Sequence, residues 1–500
     1  MENGELVSNT TNGSVYQMST VEDVKAYFDA GFTCISGDDA DYLTYRSIGH
    51  AVGDGYSETD ENGDYKNSDA IRLLNLVKEY CDTYNVAYEN AKVFVKLGYL
   101  EGAMGGSSIH SDSQTQSNIT KFYNHLKTFP CFGGFILRDE PRGYMSETYN
   151  KWYKWLVEDL GIYRDGYSLH GSLLGMNAAE VHVAGSSDTD SNYSTTLGLT
   201  AEQYETYLKK YISGLTGSSS EYLSFDYYPF TETITRAESG VLIKSYDYKT
   251  TYNIKTQYFQ NLEEFATLSK EYNFNRGLCV QSTAFYNKTS YDEINSEGDS
   301  SSYTYSGKVT NEMMTYQLYT ALAYGFDRIS YFTYMQPSNQ TTSECFSESP
   351  YVWQKQSDGS YKAVATDVYE SVKNANAEIA EMYKRMSDFS WLGTTYSIGA
   401  TATANIFDGT TSYSCSALNS VSSSYDAIVS CMKDTNGKLG FMVVNSDDPR
   451  NNRANSVTLT FGDGYSKVVY YENGERKTAN LVDGKLTISV GAGKGIFIIP

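Results

Sequence analysis

The stretch that decides the fold reads Gly133-Gly134-Phe135-Ile136-Leu137-Arg138-Asp139-Glu140-Pro141. Its centre is a short apolar run, typical of a strand that is covered on both faces of a parallel sheet. Pro141 has no N–H to give to a sheet, so the strand is predicted to end before it. Asp139 and Glu140 then lie at the carboxyl end, and because adjacent strand residues point to opposite faces, they are expected to do different jobs. The plainer interpretation is a strand-terminating loop with two solvated acids.

The composition limits the kinds of partner. The chain has 500 residues, a formal net charge of −22 and a pI of about 4.7. This acidity argues against nucleic acid and anionic membrane surfaces as partners and is neutral toward sugars. The 47 tyrosines suit stacking on sugar rings and hydrogen bonding to hydroxyl groups. No apolar run is long enough to span a bilayer, so we expect no membrane partner. We expect a carbohydrate partner and a monomer or weak homo-oligomer.

The cysteines and the first residues bear on compartment and cofactors. Residues 1–4 have neither the basic nor the apolar region of a signal peptide, so the protein is either intracellular or has lost a signal segment. None of the seven cysteines forms a CxxC pair, which predicts no zinc or redox site and no cofactor. A disulfide scaffold is not indicated, and one isolated bridge is left open.

Helical patterns and short apolar runs alternate along residues 20–390. Regular alternation implies parallel strands with right-handed crossovers, and eight such units predict a (β/α)8 TIM barrel over residues 1–390. A doubly wound open sheet is the alternative, but the glycine-rich turn expected after its first strand is missing. A weak first strand is placed at Ser14–Met18. The other predicted strands are Phe32–Ser36, Lys92–Leu100, the quoted stretch, Tyr167–Leu174, Tyr222–Phe230, Arg276–Thr283 and Arg328–Tyr334. A loop is predicted over Glu101–Ser117. Four long insertions are predicted on the carboxyl-end side of the strands: Tyr42–Asp69, Gly175–Thr200, Thr231–Lys255 and Tyr286–Lys308.

The pattern changes near residue 390. Short strands follow one another, separated by turn pairs such as Asn436-Gly437, Asn473-Gly474 and Asp483-Gly484, which favour hairpins. Residues 391–500 are therefore predicted to form a C-terminal antiparallel β-sandwich, and no functional site is found in it.

Reactive groups of a barrel belong at the carboxyl ends of its strands. The residues collected there are carboxylates, amides, phenols and one histidine, without a metal-ligand cluster, a GxSxG motif or a phosphate loop. Carboxylates with aromatic and amide neighbours fit glycosidic-bond chemistry, which needs two carboxyl groups across the scissile bond. The set is Asp38, Asp39, Tyr99, Glu101, Arg138, Asp139, Glu140, His170, Ser172, Asp226, Tyr228, Gln281, Ser282, Tyr331, Tyr334 and Gln336.

The stretch Leu137–Pro141 resembles the Asn-Glu-Pro motif on strand four of clan A glycoside hydrolases, with Asp139 in place of the asparagine. Ser224–Phe230 and Ile329–Tyr334 resemble later strands of glycoside-hydrolase-like barrels, including those near the family 42 β-galactosidases and the family 5 type. The resemblance spans about residues 20–390. It implies that Glu140 is the general acid/base of an extracellular or cell-surface enzyme that breaks down a β-linked glycan.

Gln281 departs from that pattern. Retaining members of the clan carry a nucleophilic glutamate at the end of strand seven, and an amide cannot serve as that nucleophile. Four explanations stay open: an engineered replacement, Asp226 as the second carboxylate, a loop acid (Glu232, Glu293 or Glu297), or a protein that binds glycans without cleaving them. A native Gln281 with another acid is the preferred one, which makes Glu140 and Asp226 the predicted catalytic pair.

Other side chains are predicted to bind substrate, each with a structural alternative. The alternative for Arg138 is to orient its neighbour Asp139 and keep it ionised. The alternative for His170 is a polar residue inside the barrel, and for the tyrosines it is packing alone. The predicted substrate-binding residues are Asp139, Arg138, His170, Tyr228, Gln281, Tyr331, Tyr334 and Trp353. Besides hydrolysis, the sequence leaves room for a catalytically silent glycan-binding protein and for a transglycosylase.

Overall fold

A computed structural model describes residues 20–36, 69–106, 111–175, 201–239, 245–294, 302–336, 345–358, 361–400, 402 and 405–500. The helices are α1 (Val21–Asp29), α2 (Asp69–Tyr84), α3 (Gly98–Met104), α4 (Asp112–Leu126), α5 (Ser146–Trp155), α6 (Ala201–Ile212), α7 (Gln257–Tyr272), α8 (Lys288–Ile294), α9 (Asn311–Ala323) and α10 (Asp367–Met386). The strands before residue 366 are β1 (Cys34–Ser36), β2 (Lys92–Lys96), β3 (Phe132–Ile136), β4 (Ser168–Leu174), β5 (Glu221–Asp226), β6 (Phe230–Ser239), β7 (Ser245–Ile254), β8 (Asn275–Gln281), β9 (Ala284–Tyr286), β10 (Ser302–Tyr305), β11 (Arg328–Phe332), β12 (Cys345–Ser347), β13 (Tyr351–Lys355) and β14 (Tyr361–Ala365).

Seven parallel strands form the central sheet in the order β1-β2-β3-β4-β5-β8-β11. They are the seven strong strands that the sequence predicts. The order follows the chain without reversal, which excludes the doubly wound alternative for this sheet. The sheet curls so that its two edge strands come close together. Phe32, next to β1, contacts Tyr331 of β11 at 5.1 Å between ring centroids. The predicted eighth strand, Ser14–Met18, lies outside the described residues.

Close packing of two central strands explains one glycine of the deciding stretch. Gly134 has φ +141°, and a Cβ there would lie 1.9 Å from the carbonyl oxygen of Ser168 on β4. No other residue type fits this approach, because any side chain would overlap that oxygen. The glycine therefore lets β3 pair tightly with β4 just below the acidic end of the strand.

The segment after β2 corrects a prediction. The strand predicted over Lys92–Leu100 ends at Lys96, and the loop predicted over Glu101–Ser117 contains α3 and the start of α4. The signal was present, since Leu100, Ala103 and Met104 are buried at helical spacing. A run of glycines around them masked it.

Two predicted insertions form a further sheet. Thr231–Lys255 and Tyr286–Lys308 contribute β6, β7 and β10, which pair as a three-stranded antiparallel sheet. Threonine and tyrosine are frequent along these strands, and both favour a pleated, half-exposed surface. The chain enters this sheet directly after β5, so it lies at the carboxyl-end side of the central sheet. Residues 42–68 and 176–200, most of the two remaining insertions, are outside the described part.

The C-terminal part has two antiparallel sheets. Its strands are β15 (Phe389–Ser397), β16 (Leu418–Ser423), β17 (Ala427–Asp434), β18 (Leu439–Asn445), β19 (Asn455–Phe461), β20 (Lys467–Glu472), β21 (Glu475–Asn480), β22 (Lys485–Val490) and β23 (Gly495–Ile499). The sheets have the orders β15-β17-β18-β23-β20-β21 and β16-β19-β22, and their inner faces share one apolar cluster. Both residues have positive φ in the turn pairs Asn473-Gly474 and Asp483-Gly484, whereas in Asn436-Gly437 only the glycine does. The first and last of the three pairs along the chain differ further: Asn436-Gly437 joins the paired strands β17 and β18, and Asp483-Gly484 connects β21 and β22, which belong to different sheets.

Helix α9 joins the two parts. Every residue from Met313 to Ala323 is buried, because β8 packs on one side of the helix and β18 on another. The Tyr316 hydroxyl donates to the carbonyl oxygen of Ser446 in the C-terminal part (3.4 Å). No helix among the described residues is long and apolar enough to cross a membrane.

Candidate functional site: a carboxyl pair at the sheet edge

Backbone hydrogen bonds carry the acidic stretch beyond β3. The Leu137 N–H donates to the carbonyl oxygen of His170 (2.8 Å), and the Glu140 N–H donates to that of Ser172 (3.1 Å). The chain therefore stays beside β4 after β3 ends, and Glu140 is held at the level of Ser172. Asp226 is the last residue of β5. Both carboxyls lie at the carboxyl-end edge of the sheet, as the sequence predicts.

Glu140 has an unusual backbone conformation. Its φ of +42° lies in the left-handed region, which costs a non-glycine residue roughly 1 kcal/mol. The next residue, Pro141, cannot donate to β4 and ends the pairing. Strain of this kind is held in place only where the surroundings determine it, and it is concentrated at functional sites.

The side chains of Glu140 and Asp226 are hydrogen-bonded to each other. The charge of Asp226, burial and the charge of Asp139 together raise the pKa of Glu140 far above its ordinary value. Burial raises the pKa of Asp226 less, because the hydrogen bond from Glu140 stabilises its ionised form. Two adjacent buried carboxyls cannot both ionise readily, so the pair holds one proton between them. The pair has one acid and one base, the division of roles that acid/base catalysis needs.

A buried lysine that the sequence analysis missed lies beside the pair. Lys96, the last residue of β2, is fully buried, and its Nζ lies 3.7 Å from Asp139 Oδ2 and 3.7 Å from Glu101 Oε1. Lys96, and not the alternative partner Arg138, is thus the cation paired with Asp139; the substrate-binding role of Arg138 stays a prediction. Arg138 Nη1 lies 3.7 Å from Glu101 Oε1 and donates to the Glu101 carbonyl oxygen (3.4 Å). The available signal was a lysine at the end of an otherwise apolar strand.

Lys255 is a second missed cation. It follows β7 directly, and its backbone N–H donates to the Pro229 carbonyl oxygen (2.9 Å). Burial lowers the pKa of Lys255, and the negative charge of Asp226 opposes that shift. Its Nζ lies 5.4 Å from the centroid of the Tyr227 ring. The Asp226 carboxylate thus has a cation in its surroundings, which favours its ionised form.

Gln281 is a structural residue. It is fully buried, and its Nε2 donates to the carbonyl oxygens of Thr283 (3.1 Å) and Gly307 (3.2 Å). Its backbone exchanges two hydrogen bonds with the Gln317 amide, at 2.8 and 3.1 Å. Both amide hydrogens are used inside the protein, whereas Gln281 Oε1 has no hydrogen-bond partner among the described residues. The substrate-binding role of Gln281 stays a prediction, and it would have to use Oε1.

This geometry predicts the effect of Gln281→Glu. A carboxylate there would replace two donated hydrogen bonds by repulsion from two carbonyl oxygens, which we expect to cost about 2–4 kcal/mol of unfolding free energy. Chemical denaturation measures this loss, and Gln281→Met is the matched control that removes the donors without adding charge. A stable Gln281→Glu variant with increased hydrolysis would instead identify position 281 as a replaced nucleophile.

Two predicted sugar platforms are packing residues. The Tyr331 hydroxyl donates to Asn376 Oδ1 on α10, so this side chain points out of the sheet toward the helix layer. Tyr334 is 2 % exposed and contacts the rings of Tyr27 and Tyr351 at 4.9 and 5.2 Å between centroids. These contacts favour the packing alternative, and the substrate-binding role of both tyrosines stays a prediction.

Tyr228 lies near the carboxyl pair. Burial raises the pKa of its hydroxyl, and the charges of Cys279, Asp226 and Glu140 raise it further. Its ring stacks on Phe332 at 5.7 Å between centroids. Of the predicted aromatic residues whose side chains are described, Tyr228 is the one whose surroundings include both acids.

His170 lies deeper, among the side chains inside the curled sheet. It is 4 % exposed, and burial together with the charge of Arg328 lowers its pKa to about 3. It lines a cavity of about 230 Å³ between β1 and β11, with Cys34 and Arg328. A neutral imidazole at this depth favours the polar-barrel alternative, and the substrate-binding role of His170 stays a prediction.

The remaining candidates are used elsewhere or lie outside the described part. Glu232 accepts a hydrogen bond from the Tyr305 hydroxyl (2.7 Å) within the three-stranded sheet. The backbone of Trp353 lies in β13, but its side chain is outside the described part, as are Asp38, Asp39, Glu297 and the side chain of Glu293. Among the described residues, no group of His, Cys, Asp and Glu is arranged to hold a metal ion.

The pair should make stability depend on pH. Both carboxyls have a raised pKa in the folded protein. Their contribution to the free energy of unfolding is therefore full below about pH 4, the pKa in the unfolded chain, and is lost as pH rises through their pKa values in the folded protein. Asp226→Asn should therefore raise Tm by roughly 2 °C at pH 8 and not at pH 4, as measured by calorimetry. Asp165→Asn is the control of opposite sign, because a hydrogen bond from Lys127 lowers the pKa of Asp165. Equal Tm differences for Asp226→Asn at both pH values would contradict the coupling.

The comparisons with known proteins are remote. No family model and no curated protein sequence matches this chain. Solved structures that match include an α-amylase from Anoxybacillus (8% identity, TM-score 0.42, covering 96% of this chain and 89% of that one) and a GH27 β-L-arabinopyranosidase from Geobacillus stearothermophilus (8%, 0.39, 96% and 92%). A β-glucosidase from Exiguobacterium marinum matches at 10% identity and a TM-score of 0.37, over 71% of this chain and 86% of that one. Likeness at this level carries no argument about activity, so function is argued from the site.

Proposed function

We propose that this protein hydrolyses a glycosidic bond, with Glu140 as the proton donor and Asp226 as its carboxylate partner. The observation that carries the proposal is the direct interaction of two buried carboxyls, Glu140 and Asp226, which hold one proton between them and whose pKa values are both raised. A glycosidic oxygen can take the place of Asp226 as the acceptor of that proton. The same carboxylate is then freed to act at the anomeric carbon, so both groups reach one bond.

The closeness of the carboxyls favours a double displacement. Retaining glycosidases have carboxyls about 5–5.5 Å apart, whereas inverting ones hold them about 6.5–9.5 Å apart to admit a water molecule. Two carboxyls in hydrogen-bond contact are nearer to the first arrangement. We assign Asp226 as the nucleophile, with Glu140 protonating the leaving oxygen and afterwards taking a proton from water.

The substrate class follows from the surroundings and the motif. A polyhydroxyl ligand is uncharged, so the net charge of −22 does not repel it, and Tyr228 offers a phenol beside the pair. The β-linkage and an extracellular or cell-surface location rest on the resemblance of Leu137–Pro141 to the strand-four motif. A closed eight-stranded barrel with a C-terminal sandwich is the architecture that goes with this proposal.

Glycan binding without cleavage is the second candidate. It is favoured by Gln281, whose structural role removes the nucleophile expected from the resemblance, and by the direct contact of the two carboxyls. A binding protein needs only the cleft and its polar groups, so the carboxyl pair would then serve as a hydrogen-bonding surface. It would bind an oligosaccharide that remains intact.

The test uses the unmodified protein. A panel of 4-nitrophenyl and 2,4-dinitrophenyl glycosides, together with β-linked oligosaccharides, is incubated with it, and release of phenol or sugar is measured beside binding by calorimetry. Hydrolysis of at least one glycoside, abolished in Glu140→Gln, supports the proposal. Binding of an oligosaccharide that stays uncleaved supports the second candidate, and neither hydrolysis nor binding overturns both.

A further inference from the structure

Two cysteines in the C-terminal part lie against each other. Cys415 and Cys431 are 6 % and 1 % exposed, and their sulfur atoms are 2.8 Å apart. This is closer than the van der Waals contact of two sulfur atoms. A disulfide has a sulfur–sulfur bond of about 2.05 Å, so closing it requires a movement of less than about 1 Å.

The local backbone is shaped for this approach. Cys431 lies in the middle of β17 and is paired across the ladder with Gly393 of β15. A Cβ at Gly393 would lie 2.4 Å from the Tyr413 ring, so the missing side chain leaves room for the segment that contains Cys415. The Tyr413 N–H then donates to the Thr394 carbonyl oxygen (2.8 Å), which holds the segment against β15.

The two thiols stand on different structural units. Cys431 belongs to the six-stranded sheet. The segment that contains Cys415 leads into β16 of the three-stranded sheet, and the Leu418 N–H donates to the Cys415 carbonyl oxygen (3.0 Å). A bond between the sulfur atoms would close a loop over the 16 positions that separate them and would fasten the entry of one sheet to the centre of the other.

We propose that Cys415 and Cys431 form a disulfide that ties the two C-terminal sheets together. Oxidised glutathione, or another disulfide of that class, is the oxidant. One cysteine thiolate attacks a glutathione sulfur and releases one glutathione thiolate. The second cysteine thiolate then attacks the mixed disulfide and releases the other. Two thiol protons leave, one sulfur–sulfur bond forms, and two electrons reduce the oxidant to two thiols.

The bond requires an oxidising compartment, since cytosolic thiols are kept reduced. Cross-linking the chain removes conformations from the unfolded state, so the oxidised form should be the more stable one. The other buried cysteines offer a control. Cys131 is buried, and its thiol contacts the Leu74 carbonyl oxygen (3.4 Å) rather than another sulfur.

The test compares the full chain after equilibration with oxidised glutathione and after treatment with dithiothreitol. We expect the oxidised, denatured protein to show two fewer reactive thiols than its seven cysteines, a non-reduced peptide map to contain the Cys415–Cys431 cross-link, and dithiothreitol to lower Tm by several degrees. Cys131→Ser, which has six cysteines, should also lose two reactive thiols on oxidation and should keep the cross-link and the reductant effect on Tm. Cys415→Ser should abolish the cross-link and the reductant effect. Seven reactive thiols in the oxidised wild type would overturn the proposal, whether or not the variants fold.

Discussion

Glu140→Gln is expected to lower kcat/KM for glycosides with poor leaving groups by about 10²–10⁴-fold, the usual contribution of a general acid. The amide keeps the length of the side chain and can still donate a hydrogen bond to Asp226, but it has no acidic proton for the leaving oxygen. The backbone conformation at φ +42° is unchanged in type, so the fold should be retained.

The leaving group separates acid catalysis from a general loss of structure. A dinitrophenolate departs without protonation, so Glu140→Gln should slow hydrolysis of 2,4-dinitrophenyl glycosides much less than that of alkyl glycosides. Oligosaccharide binding by calorimetry should be nearly unchanged. Glu232→Gln is the matched control, because that carboxylate accepts from Tyr305 within the three-stranded sheet, and its kinetics should match wild type. Equal losses for both leaving groups in Glu140→Gln would argue against a proton donor at this position.

The pH profile gives a second readout of the same residue. Wild-type hydrolysis should fall as pH rises through the raised pKa of Glu140, because the donor is then ionised. In Glu140→Gln this alkaline limb should disappear from the residual activity. The acidic limb should remain, since it reports protonation of the nucleophile.

The central sheet could be predicted because periodicity reports burial. Short apolar runs alternate with helical stripes, and the seven strong strands all appear in the structure. The errors occur where glycine or polar residues hide a buried face, as in α3, and where an insertion pairs with a distant one, as β10 does with β6. Pairing across a long separation in sequence leaves no local signal, so such sheets are read as loops.

The candidate site was predictable in its acids and not in its cations. Glu140 and Asp226 are among the strand-end candidates because parallel strands place those ends at one edge, and the resemblance of Leu137–Pro141 to the strand-four motif singles out Glu140. Lys96 and Lys255 depend on which side chains converge across strands, which sequence spacing does not report. For the same reason, the sequence suggests that Gln281 takes the place of a nucleophilic glutamate but does not show its hydrogen bonds to the carbonyl oxygens of Thr283 and Gly307.

Asp226→Ala is expected to reduce hydrolysis by on the order of 10⁴-fold or more, as removal of a nucleophile does in enzymes that act through a covalent intermediate. Wild-type hydrolysis should release the sugar with its original anomeric configuration, as followed by NMR. The variant should also lower the pKa of Glu140, because the charge of Asp226 is the largest cause of its elevation.

Azide decides whether Asp226 is the nucleophile. The space left by the carboxylate in Asp226→Ala admits a small anion at the anomeric carbon, so azide should restore turnover of 2,4-dinitrophenyl glycosides and give a glycosyl azide of opposite configuration. Asp226→Asn, which fills that space with an amide, should show no rescue. If wild type gives inverted products and azide restores neither variant, Asp226 acts on water as a base, and the carboxyls must move apart when substrate binds. A water molecule between the two carboxyls needs that wider spacing.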